Sequence, residues 1–251
     1  MYYDLHCHSN FSDGLARIDE IEEKCLKDDF SVVLTDHNEI RGSIKLFERD
    51  KVPTLPAIEA CCKEGLEFLI YFNDTSKIES FYKKAIEPYR LGRFMVQLKN
   101  GALSVLGAAK EFEGKIVIAH PFGIGKKAVS YYKHDKAVIK EIEKLIHGVE
   151  IYNGNVHKSS NQKAQEYAKS LGLPITVGSD GHDISSIGQV TKEINLTNLF
   201  DEILGDGITD TNNSISMIKT GLIIAKEHTE YYLYSGKNHK KRITTELKRL
   251  Q

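Results

Sequence analysis

With 251 residues, 41% hydrophobic and 27% charged, the chain has the size and composition of a globular protein with one sizeable core. A formal net charge of −1 excludes a global field that gathers nucleic acid or an anionic membrane. No apolar run approaches the ~20 residues of a membrane span, and the chain starts on a strand pattern without a signal-peptide pattern, so a cytoplasmic protein is expected.

The first strand pattern, Tyr2 to Leu5, runs into His6-Cys7-His8. Side chains alternate along a strand, so His6 and His8 point the same way and can reach one metal ion, while Cys7 points into packing. Asp13 follows across a Ser/Asn/Gly turn that can bring it back toward them. Imidazole with carboxylate suits Zn, Mn or Fe. A helical spacing over Ile18 to Lys27 leads to a β-branched run, Phe30 to Thr35, with Asp36-His37 at its end. Gly42 to Arg49 reads as a short helix, Val52 to Glu59 as a third strand, and Gly65 to Phe72 as its hairpin partner with Lys63-Glu64-Gly65 in the turn.

Residues 76–113 read as mostly helical, with Arg90 and Arg93 after Pro88. Ile116 to Ala119 is another apolar strand, ending in His120-Pro121. A helix over 136–147 precedes the strand Gly148 to Asn153, where Asn153 is a candidate for contacting substrate or for shaping a turn before Gly154. The helix Ser160 to Leu171 stops at Gly172. Ile175 to Gly178 ends in Asp180-Gly181-His182-Asp183, with Asp180 and His182 again two apart. Residues 186–213 carry little pattern; a closing strand near 222–226 and an amphipathic helix over about 238–251 complete the chain. The four cysteines, Cys7, Cys25, Cys61 and Cys62, lack zinc-finger spacing and read as reduced thiols.

Five of the ten histidines thus lie at the ends of four apolar strands. An α/β barrel collects its active-site residues at such ends. The stretches DLHCHSNFSDG, LTDHNEIRG, IAHPFG and GSDGHD, in this order, resemble the PHP (polymerase and histidinol phosphatase) superfamily of metal-dependent phosphoesterases. The resemblance implies an α/β fold, a distorted TIM-like (β/α)7 barrel, as a single domain over 1–251 with a helical insertion near 76–113. It also implies two to three divalent metal ions (Mn, Zn or Fe). His6, His8, Glu59 and Asp180 would hold one, Asp13, His37 and His182 another, and Glu59 with His120 what remains of a middle position. Glu59 would bridge. Many family members carry a histidine in the fourth strand, where this chain has Phe68 and Leu69, so one position is short of a ligand. The family often shows a paired arginine in the inserted helical region, which makes Arg90 and Arg93 candidates for clamping phosphate.

The activity so implied is hydrolysis of small phosphate monoesters, such as nucleotide or sugar-alcohol phosphates, by a metal-activated water. His182, Asp183 or a metal-bound water would protonate the leaving group. The alternatives are a phosphodiesterase or exonuclease on single-stranded nucleic acid, which the balanced charge disfavours, and a non-catalytic member that binds metal or phosphate. The partner expected is a small phosphorylated substrate, with no membrane.

Overall fold

The computed structural model describes residues 1–91, 97–123, 136–194 and 198–204. All of them belong to one compact unit, Met1–Thr211. The expected strand near 222–226 and the helix over 238–251 lie outside the described residues.

Strand β1 (Tyr2–Cys7) pairs in parallel with β2 (Phe30–Leu34), and helix α1 (Ile18–Asp28) crosses between them. α2 (Arg41–Arg49) leads on to β3 (Ala57–Cys61). That strand starts later than the sequence suggests, because Pro53 and Pro56 cannot donate to a ladder. β3 and β4 (Glu67–Tyr71) form the expected hairpin and are antiparallel. The turn between them closes through Gly65 N–H to Cys62 O (2.8 Å), with Gly65 at φ 80°. It is too short for the crossover that a parallel neighbour needs. The inserted region starts as α3 (Thr75–Phe81) and continues through a π-helical turn, Tyr82–Ile86, and a 3-10 turn, Glu87–Tyr89. α4 (Ala102–Glu111) ends the insertion. Then come β5 (Lys115–Ile118), α5 (Lys136–Glu143), β6 (Gly148–Asn153), α6 (Lys158–Leu171) and β7 (Ile175–Gly178). In the stretch that carried little sequence pattern, the two-residue β8 (Lys192–Glu193) pairs antiparallel with β1, and α7 (Leu199–Glu202) follows. Among the described residues no helix is long and apolar enough to cross a membrane.

The strands form two sheets, ordered β2-β1-β8 and β3-β4-β5-β6-β7. Two features separate them from a regular closed parallel barrel: the antiparallel hairpin was expected, but closure of the distorted barrel is not seen among the described residues. β4 is antiparallel to both neighbours, and the sheets meet at isolated bridges, Cys7 to Gly181 and His37 to Glu59, with no continuous ladder there. At the first seam β7 presses against β1: a Cβ on Gly178 would lie 2.7 Å from His6 N. Between the sheets lies an apolar layer of Tyr3, Leu5, Val33, Ala57, Leu69, Tyr71, Val117 and Ala119. The opposite strand faces pack under α3, α4, α5 and α6 on one side and under α1 and α2 on the other.

Candidate metal centre

β1 contributes Tyr3 and Leu5 to the apolar layer, so strict alternation would send His6 and His8 the other way. A register shift between Asp4 and Cys7 changes the phase. Such an irregularity re-aims the side chains that follow it, and both imidazoles come together with Nε2 atoms 3.2 Å apart. Cys7 packs on the other side with Ile18, Ile21 and Cys25, as expected. β6 carries a second shift, between Glu150 and Tyr152. It lets Glu150 and Asn153 meet at 3.1 Å.

Three groups of donors share one rim. In the first, His8 Nε2 and His6 Nε2 lie 3.1 and 3.4 Å from Asp180 Oδ1, and each lies 3.4 Å from Glu59 Oε2. In the second, Asp13 faces His182 Nε2 at 3.4 Å, His37 Nε2 at 3.6 Å and His8 Nδ1 at 3.7 Å. In the third, His120 Nε2 lies 3.1 Å from Glu59 Oε1 and 3.4 Å from Glu67 Oε2, while His37 Nδ1 lies 2.9 Å from Glu59 Oε2 and 3.9 Å from Glu67 Oε1. Every residue expected as a ligand from sequence is therefore on this rim. Glu59, fully buried, touches all but the Asp13 group directly and reaches that one through His8 and His37. Asp13 and His182 are the most open, each with 24% of the side chain exposed.

The backbone bends where these residues leave their strands. Asn38, His120 and Asp180 have φ of 49°, 27° and 51°, values that non-glycine residues adopt rarely and that concentrate at functional sites. Buried carboxylates fix the loops. Asp36 accepts from Ser9 N (2.8 Å), Ser9 Oγ (2.7 Å) and Ser12 Oγ (2.6 Å), which folds Asp13 over the rim. Asp4 accepts from Ser179 N (2.9 Å) and Gly188 N (2.8 Å), which ties the first motif to the last. Burial pushes both Asp4 and Asp36 up to about 6.

Hydrogen bonds behind the imidazoles select which nitrogen faces the rim. Glu150 Oε1 accepts from His6 Nδ1 at 2.8 Å, and Asp180 O accepts from His182 Nδ1 at 2.8 Å, leaving each Nε2 toward the carboxylates. Burial, with His182 and His37 beside it, pushes His8 down to about 4. Burial also opposes charge on His120 and His182, but Glu59 and Glu67 hold the first up to about 9 and Asp13 holds the second up to about 10. Burial opposes charge on Glu59 as well, yet His37 and His6 keep it well below the carboxylate range.

The donor set fits divalent cations. Among the described residues, imidazole nitrogens and carboxylate oxygens from separate elements converge within 4.8 Å in four overlapping groups, and the fully buried His8 Nδ1 has no hydrogen-bond partner there. Such a nitrogen carries a desolvation cost that a cation would offset.

The other expected site residues are placed differently. Asn153 donates to Glu150 Oε2 and, at 3.3 Å, to Asp180 Oδ2, so it orients the rim from behind. Arg90 donates to Tyr82 OH (2.6 Å) and Glu39 Oε2 (3.3 Å), and Glu39 is also gripped by Arg41. Arg93 lies outside the described residues. Asp183 Oδ1 accepts from Ser185 N, Ser185 Oγ and Ser186 N, capping the turn that follows it. Glu67 and Glu150 were not anticipated. The hairpin was the signal for Glu67: an antiparallel β4 must start where its neighbours end.

Comparison with known proteins agrees with the fold. The PHP-associated family matches residues 158–206, from α6 through β7 and β8 to α7. The chain is thus similar to PHP proteins, and the motifs that carry the resemblance supply the rim residues His6, His8, Asp13, His37, His120, Asp180 and His182. The chain is 24% identical over 221 residues to the DNA polymerase III subunit alpha of Borreliella burgdorferi, a match covering 76% of this chain and 19% of that protein. It therefore spans about a fifth of that relative. Among solved structures it resembles endonuclease Q of Pyrococcus furiosus, a lesion-specific endonuclease, with TM-score 0.60 and 17% identity over 82% of this chain and 57% of that one. It also resembles a two-domain protein of Bacteroides vulgatus containing a predicted PHP-like metal-dependent phosphoesterase, with TM-score 0.54 and 19% identity over 74% of this chain and 53% of that one.

Proposed function

We propose that this chain is a PHP-type metal-dependent phosphoesterase acting on small phosphate monoesters. The observation that carries the reading is the shared rim, where Glu59 joins His6, His8, His37 and His120. His6, His8, Glu59 and Asp180 would hold one divalent ion, Asp13, His37 and His182 a second, and Glu59 with His120 a third position; Mn, Zn and Fe all suit this donor set. Ions bound there would lower the pKa of water and neutralise charge developing on phosphoryl oxygens.

The chain's own residues supply the rest. Glu150 and the Asp180 carbonyl hold the protons on His6 Nδ1 and His182 Nδ1, so that lone pairs face inward. Asn153 orients the Asp180 carboxylate. Asp13 and His182, the most open of the rim residues, form the mouth that a substrate meets first. Of the two side chains expected to move a proton, His182 faces this mouth, whereas Asp183 binds its own turn. The apolar layer beneath the rim excludes water from below.

A second reading, phosphodiester cleavage in nucleic acid, is favoured by the likeness to endonuclease Q and to a DNA polymerase subunit. The net charge of −1 weighs against it. The test is phosphate release from a panel of small phosphate esters with added Mn²⁺, alongside single-stranded DNA and a duplex with an abasic site. Release from monoesters that His37→Ala abolishes is expected. Cleavage of the polymers alone would replace the first reading with the second, and bound metal without any turnover would overturn both.

A further inference from the structure

Two exposed apolar side chains stand beside the mouth of the rim. Leu15 lies two residues after Asp13, and Ile184 two residues after His182, the most open residues of the metal centre. Leu15 N donates to His182 O at 2.6 Å, so the two loops run side by side at this point. Leu15 is 45% exposed and Ile184 39%. Among the described residues neither belongs to a hydrophobic cluster, although Ala16 and Ile187 close by on the same loops are buried in one.

The backbone holds both outward. Gly14 presses against the end of the first motif, where a Cβ would lie 2.5 Å from His8 O, and Asn10 N donates to Ala16 O at 2.9 Å, which closes the loop around Leu15. Asp183 Oδ1 accepts from Ser185 N (2.6 Å) and Ser186 N (3.1 Å), and Asp183 O accepts from Ile187 N (3.2 Å). Asp183 thus fixes the turn that carries Ile184. Phe11, the other apolar residue of the first loop, is already engaged. It packs on the core, and its ring carries Arg41 at 5.5 Å and Lys45 at 6.0 Å.

Single exposed apolar side chains are ordinary on a protein surface. Two on hydrogen-bonded loops, each two residues from a mouth residue, stand where the alcohol part of a bound ester would leave the rim. An apolar body placed there removes its own surface and theirs from water. A polyol would instead turn hydroxyls toward groups that cannot hydrogen-bond, at a desolvation cost.

We propose that Leu15 and Ile184 form an apolar lip that selects phosphate esters whose alcohol carries an alkyl or aryl body over the phosphates of polyols. The inference rests on the monoesterase reading for the reaction, but the contact it describes can be read by binding alone.

The test uses a homologous series, ethyl, butyl and hexyl phosphate, with glycerol phosphate for comparison, on the Mn²⁺-loaded protein. The alcohols of the series differ little in acidity, so a trend along it reports apolar contact. Full burial of a methylene is worth about fourfold, and a lip that covers one side should give roughly twofold per methylene in kcat/KM. Leu15→Ser/Ile184→Ser should flatten that trend, with bound metal and urea midpoint like those of wild type. Each single variant should remove part of it, which keeps the test open if the double variant fails to fold. Leu15→Met should retain the trend, and so should Leu26→Ser, an exposed leucine on α1. A wild type that shows no trend, or a trend that is equally steep in both serine variants, overturns the lip. No phosphate release from any ester by wild type sinks the monoesterase reading instead. The dissociation constants of the same series, measured by calorimetry, then decide the lip: tightening with chain length that the serine variants lose sustains it, and constants independent of length overturn it.

Discussion

The strands that build the rim also build the dry layer beneath it, and the two regions differ within two residues of chain. Leu5 is apolar packing and His6 is rim; Ala57 is packing and Glu59 is rim; Ala119 is packing and His120 is rim. On β4 the order is inverted, Glu67 before Leu69, because that strand runs the other way. The contrast teaches that one set of strand faces does two jobs. The lower layer holds the sheets together by burial, which needs only shape and volume. The upper layer gathers charge that favours the fold only when matched by opposite charge. Substitutions should separate the two.

The largest effect on folding belongs to the lower layer. Leu69→Ala should destabilise the metal-free protein by about 2–5 kcal/mol, read as a shifted urea midpoint, while the number of bound metal ions stays the same. A loss of metal without a loss of stability would show that the layers are not separable.

The upper layer should respond in affinity. Glu150→Gln removes the carboxylate behind His6 Nδ1 and should weaken metal binding by about 10- to 100-fold, measured by titration calorimetry with Mn²⁺. Affinity like that of wild type would mean that the His6 ring is held without Glu150.

The smallest effect concerns a histidine far along the chain from any motif. His147 accepts from Ile116 N at the start of β5, and burial, with Lys110 and Lys115 nearby, lowers its pKa below the ordinary imidazole value of 6.5. The unfolded chain then takes up this proton more readily than the folded one. His147 thus contributes stability that is present in full above pH 6.5 and is lost as pH falls below it. His147→Asn should flatten that part of the stability profile, seen as the difference between wild-type and variant unfolding curves from pH 7.5 to 5.

What was legible in the sequence follows the same division. Pairs two apart, His6 with His8 and Asp180 with His182, could be read because an extended chain repeats every second residue. Most strands were legible as apolar runs. The phase of β1 was not, since a register shift leaves no mark in residue type. Glu67 was hidden in an apolar run, and its place depends on a strand direction that only the short turn at Gly65 reveals. Arg90 was legible as a charge, but its partner Glu39, fifty-one positions away, was not. Asp4 and Asp36 look like motif residues, yet their work is to hold serines and backbone amides.

The two seams carry a last consequence. Each is closed by an isolated bridge, and each has rim residues on both of its sides: His37 opposite Glu59, and His6 and His8 opposite Asp180. A cation held by both sides would act as a buckle, reinforcing two halves of the molecule that the backbone stitches together with only a pair of hydrogen bonds at each seam. Loading and rigidity would then be one event, and the empty protein would be free to breathe along the lines where its chemistry is assembled.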